Sequence, residues 1–167
     1  MILFALFAGG GFALILSPLL APELESLTAW LARLSGGIIH FAGGHVEVAG
    51  NTLTAPSGFS IAVANGCNGI NVLILLWAAQ LAWPAAGWAD KLKKAAIGTP
   101  IIFLVNTIRI ITLYYLGQWN REWFEWMHLY VWEVLIMMLG LAVFALGIRQ
   151  TPRTAAAGAA KSPQPAA

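Results

Sequence analysis

Four stretches of helix length in this chain are almost free of charge, and no other feature narrows its possible folds as much. Residues 1–20, 68–83, 95–117 and 129–148 hold two charged side chains between them, Arg109 and Glu133. Their apolar residues run on continuously rather than alternating, which suits helices in lipid and excludes a barrel, since hydrocarbon leaves backbone groups no partners outside their own segment. Composition agrees. Of 167 residues 59% are hydrophobic and 10% charged, whereas a soluble domain draws about a quarter of its residues from the charged types. The expected fold class is an all-α integral membrane protein with about four transmembrane helices.

The segments between these stretches add detail. Residues 1–20 lack the basic start of a secretory signal and exceed its usual apolar length, so a retained signal-anchor helix is expected. From Glu23 to Ile39, Leu24, Leu27, Leu31, Leu34 and Ile38 recur at helical spacing among Glu23, Glu25 and Arg33, which suits an amphipathic interfacial helix. Between His45 and Val63 the period changes to two, with Gly50-Asn51 at a turn position, and a small extracytoplasmic β-hairpin is expected before the second span. Residues 1–150 form one membrane-embedded domain in this reading. The Ala/Pro-rich residues 151–167 read as a disordered cytoplasmic tail.

Loop charge orients the chain. Lys91, Lys93 and Lys94 lie between the second and third stretches, and Arg149, Arg153 and Lys161 follow the fourth. Under the positive-inside tendency both segments face the cytoplasm, so both termini do as well. Residues 21–67 and the aromatic loop 118–128 then fall outside. The nine basic residues are too scattered to track a phosphate backbone, and nucleic acid is set aside as a partner. His40 and His45 show no metal-ligand spacing; neither a metal nor a cofactor is assigned.

With that topology, three reactive side chains from three helices reach one level. Cys67, the single cysteine, sits in Asn65-Gly66-Cys67-Asn68-Gly69 at the outer start of the second helix. His128 opens the fourth helix. Arg109 lies roughly 12 Å before the outer end of the third, and its long side chain can snorkel toward the interface. A lone cysteine is usually a small buried hydrophobe, but Asn and Gly on both sides suit a tight turn rather than a core. A helix N-terminus and a nearby cation both favour a thiolate. Arg109 has a bland alternative as the structural partner of Glu133, and His128 has one as an interfacial residue among Trp123, Trp126 and Tyr130. Together the three suit acyl transfer by a thiolate, an acid/base and a fixed cation.

These residues resemble the exosortase/archaeosortase family in a short, four-span form. The resemblance rests on Asn65-Gly66-Cys67-Asn68-Gly69-Ile70 before one membrane helix, Asn106-Thr107-Ile108-Arg109 late in the next, and His128 opening the last. It implies Cys67 as nucleophile, His128 as acid/base and Arg109 as oxyanion or substrate stabiliser, with Asn65, Gly66, Asn68, Gly69, Asn106 and Glu133 in support. It further implies a cysteine transpeptidase in a prokaryotic plasma membrane. The implied substrate is a secreted protein ending in a short motif, a transmembrane helix and a basic tail. Two alternatives stand beside it: an endopeptidase in which water resolves the thioester, and a small polytopic scaffold or channel subunit without catalysis.

Overall fold

The structure, a computed structural model, describes residues 1–84 and 86–149. The expected disordered tail, residues 151–167, lies outside the described residues. The elements run α1 (Ile2–Leu16), a 3-10 turn (Pro18–Leu20), α2 (Ala21–Phe41), β1 (Glu47–Ala49), β2 (Thr52–Thr54), β3 (Ser60–Ala62), α3 (Ile70–Ala82), α4 (Trp88–Trp119), α5 (Arg121–Trp126), a π-helical turn (Met127–Val131) and α6 (Trp132–Arg149).

Two continuous helical segments, Trp88–Trp119 and Arg121–Arg149, are long and apolar enough to cross a membrane. The first helix reaches that length only together with the segment after it, and the two meet at a 66° bend. Pro18 and Pro22 mark that bend, since proline fits the first turn of a helix but not its interior. α3 is apolar but has 13 residues, about 20 Å of rise against a core of about 30 Å. The structure therefore holds two helices long enough to span, one bent pair and one short apolar helix, where sequence suggested about four transmembrane helices.

Apolar packing gathers into two clusters. Val72, Leu73, Leu76, Ile102 and Ile136 join α3, α4 and α6 into one bundle. Gly98 and Gly140 allow close approach there: a Cβ on the first would meet Leu76 at 2.9 Å, and one on the second Val72 at 2.7 Å. Leu31, Ala32, Ile39, Leu53, Val63, Ile110 and Tyr114 form the other cluster, between α2, the small sheet and the far half of α4. Tyr114 Oη closes this unit by donating to the His45 carbonyl at 2.8 Å.

α2 differs from its expected face. Leu24 and Leu31 are buried, but so are Thr28, Ala32, Ser35, Gly36 and Ile39, whereas Leu34 and Ile38 are exposed. Small residues decide the outcome: Ala32, Ser35 and Gly36 let the sheet lie against the helix, and the Val48 side chain occupies the space a side chain at Gly36 would need. β1 and β2 pair antiparallel across the Gly50-Asn51 turn, with Glu47 opposite Thr54, and β3 extends this pair to a three-stranded sheet in the order β1-β2-β3, with Leu53 opposite Ile61.

The aromatic segment 118–128 is also not a loop. α4 continues to Trp119, and Asn120 caps the next helix by accepting from the N–H groups of Glu122 and Trp123 at 2.8 and 3.2 Å. One residue separates the two long helices. That short connection returns the chain directly over the sheet.

Candidate active site

The turn that carries Cys67 depends on two glycines. Gly66 has φ +104 and Gly69 has φ +80, a region that residues with a Cβ rarely adopt. Between them the Cys67 N–H donates to the Ala64 carbonyl at 3.0 Å, and buried Asn68 accepts from the Ile70 N–H at 3.1 Å. α3 begins at Ile70 with Gly69 as its cap. Cys67 thus precedes the helix by a short turn instead of opening it as expected, and the turn leaves it partly exposed.

The sulfur meets His128 directly, with Sγ and Nε2 3.1 Å apart. His128 does not start a helix; it lies in the π-helical turn inside the segment Arg121–Arg149. There the Trp132 N–H donates to the Met127 carbonyl, five residues back, and the widened turn carries the imidazole toward the sheet. Phe124 stacks on the ring at 5.6 Å between centroids. Phe124 in turn meets Phe59 edge to face at 5.8 Å. The ring of Phe59 lies where a side chain at Gly117 would be, so this glycine admits the aromatic pair that walls the site.

Arg109 is 3% exposed and lies beneath both reactive groups. Its Nη2 donates to the His128 carbonyl at 3.4 Å and approaches Cys67 Sγ at 3.9 Å. The same nitrogen is 3.7 Å from a carboxylate oxygen of Glu133, a residue 47% exposed. Both Arg109 relationships weighed from sequence are therefore present at once. Asn106 is fully buried one turn earlier on α4, its amide unpartnered among the described residues. A Cβ at Gly69 would be 3.6 Å from it, so Asn106 packs under the cysteine turn. Asn65 and Gly66 are exposed at the top of that turn.

All three expected reactive residues open on one cavity of about 470 Å³, with β3 on one side and α5 on the other. Phe59, Arg121 and Phe124 also line it, and sequence reasoning missed them. The Phe59–Val63 alternation was a readable sign of a strand, but it carried no information on what that strand would face.

A helical membrane protein whose cysteine, histidine and arginine meet beside a small sheet is thereby defined as a class. Residues 1–153 match the family model described as transmembrane exosortase, and the chain belongs to that family. No curated protein and no solved structure matches it.

Proposed function

We propose that this protein is a membrane-embedded cysteine transpeptidase that cleaves C-terminal sorting signals of secreted proteins on the extracytoplasmic side. The observation that carries this reading is the 3.1 Å contact between Cys67 Sγ and His128 Nε2, with the Arg109 guanidinium behind it. A free thiol packed only as a hydrophobe has no need of an imidazole and a buried cation.

The chemistry follows from these positions. His128 Nε2 takes the thiol proton as Sγ adds to the scissile carbonyl carbon, and the guanidinium offsets negative charge on the tetrahedral intermediate. Collapse breaks the C–N bond. The departing amine receives the proton from His128, leaving a thioester on Cys67. An acceptor nucleophile then gives a proton to His128, attacks the thioester carbon and releases the thiolate. The guanidinium of Arg109 offers donors only, so its part is to stabilise and position. The substrate enters with a short motif, a transmembrane helix and a basic end.

Trapping the intermediate tests this reading. A co-expressed secreted protein with such an ending is expected to yield a hydroxylamine-labile adduct on Cys67, with the mass of its N-terminal fragment less one water. Cleavage that proceeds with no adduct at Cys67, even when turnover is slowed by acceptor depletion, would count against covalent catalysis.

The proposed arrangement in a prokaryotic plasma membrane has four crossings, with α3 as a short one shielded by α1, α4 and α6. Both termini and the lysine cluster lie in the cytoplasm. Single cysteines placed in residues 49–60 are expected to react with an impermeant thiol reagent from outside intact cells, and one at Lys93 only after permeabilisation. The opposite pattern would invert the site's side.

A further inference from the structure

The sheet ends at β3, and the free edge of that strand borders the reactive cluster. Residues 58–63 form one continuous wall of the cavity that Cys67, Arg109 and His128 share. Main-chain direction along this wall follows from pairing. The Ala55 N–H donates to the Phe59 carbonyl and the Val63 N–H to the Asn51 carbonyl, while Ile61 lies opposite Leu53. Phe59, Ile61 and Val63 therefore turn their backbone groups toward β2. By the two-residue alternation of an antiparallel pair, Ser60 and Ala62 turn theirs away, toward the free edge. No hydrogen bond among the described residues occupies those outward groups.

Unpaired edges are usually blunted by a charged side chain, a proline or a bulge. Ser60-Ile61-Ala62 has none of these, and both Ser60 and Ala62 are exposed. Across the gap stands α5, presenting Phe124 and Glu125, followed by His128. The space between strand and helix is the size of a small ligand site, and Cys67 Sγ opens onto it.

We propose that the polypeptide substrate enters as a fourth strand on the free edge of β3, its main chain paired with Ser60 and Ala62 and its scissile carbonyl presented to Cys67. This rests on the reading of Cys67 as the nucleophile. Pairing through the backbone holds an extended segment largely independently of its sequence, and alternate side chains then select through what they meet along the wall. Phe59, Leu113 and Phe124 give one such set of side chains an apolar surface.

Ala62→Pro is the direct test, because it deletes an outward N–H that β2 does not use, at the kind of edge position where proline is tolerated. The probe is a secreted protein with a motif–helix–basic ending whose cleavage by the wild type requires Cys67. Ala62→Pro is expected to slow that cleavage by about tenfold or more, with membrane abundance and iodoacetamide labelling of Cys67 unchanged. Equal cleavage by the proline variant overturns the strand while leaving the nucleophile intact. Cleavage that persists in Cys67→Ala removes both. A second measurement does not depend on the proline variant folding. In the otherwise cysteine-free Cys67→Ala protein, Ser60→Cys and Ala62→Cys are expected to cross-link to substrate cysteines at alternate positions, the two patterns displaced by two residues. Capture spread evenly along the substrate, or only between two copies of the enzyme, overturns the proposal.

Discussion

Cys67→Ala is expected to abolish processing, by more than about 10⁴-fold, while the protein still accumulates in the membrane. The chain has no second cysteine to take over, and loss of a partly exposed thiol leaves the two apolar clusters untouched. His128→Ala is expected to cost about 10²- to 10⁴-fold, the usual range for a positioned acid/base. The two effects are not independent, because the imidazole acts on the proton of this one sulfur at 3.1 Å. Cys67→Ala/His128→Ala is therefore expected to be no slower than Cys67→Ala alone. Cleavage rates of the three variants, normalised to membrane abundance, check this. Residual Cys67→Ala activity near that of the wild type would remove the nucleophile and the reaction built on it.

Arg109→Lys is the second large effect, and it separates a chemical role from a structural one. The Arg109 Nη2 lies within 3.4 to 3.9 Å of the His128 carbonyl, Glu133 and Cys67 Sγ. Lysine keeps the charge, but all three relationships are made by one nitrogen at the far end of the planar guanidinium, and the shorter ammonium stem does not bring its nitrogen to that point from the same helix position. Activity is expected to fall by about 10²- to 10³-fold, the scale for losing one donor to a developing oxyanion, with abundance near wild type. If Arg109 serves only to pair with Glu133, lysine substitutes for it and activity survives. In that case Arg109→Ala shows its damage as lost protein, because it removes the pair with Glu133 and leaves a void where the buried guanidinium packed. An abundant, fully active Arg109→Lys protein would leave Cys67 and His128 to account for the chemistry alone.

The parts legible in the sequence were those governed by local physics. Hydrocarbon admits few charges, so residues 95–117 and 129–148 announced themselves, and Arg109 and Glu133 stood out as exceptions with a reason to exist. Asn and Gly around Cys67 signalled a turn because only such residues accept its backbone angles, and Gly66 and Gly69 do adopt positive φ. What escaped was set by pairing across the chain. The burial of Ser35 and Gly36 in place of Leu34 and Ile38 is decided by where the sheet docks, which periodicity within α2 cannot report. Segment 118–128 reads as a loop because it lies between two apolar stretches, although Asn120 followed by Glu122 is a usable start signal for a helix. The Phe59–Phe124 wall joins residues far apart in sequence, and no short window contains both.

The π-helical turn at Met127–Val131 makes the site sensitive to chain length in a way that side-chain substitution does not reveal. Such a turn accommodates one residue more than a regular helix would over the same rise. Removing a single residue from it would let α5 and α6 fuse into an ordinary helix, with no loss of apolar surface and no broken backbone bonds. α5 and α6 would keep their present phase, because the residue lost is the one that the widened turn absorbs. The turn itself would close onto the regular helical path and draw His128 away from Cys67, while Glu133, beyond the turn, would stay near Arg109. The outward bow of a single turn thus decides whether a well-packed membrane bundle also has a working thiol.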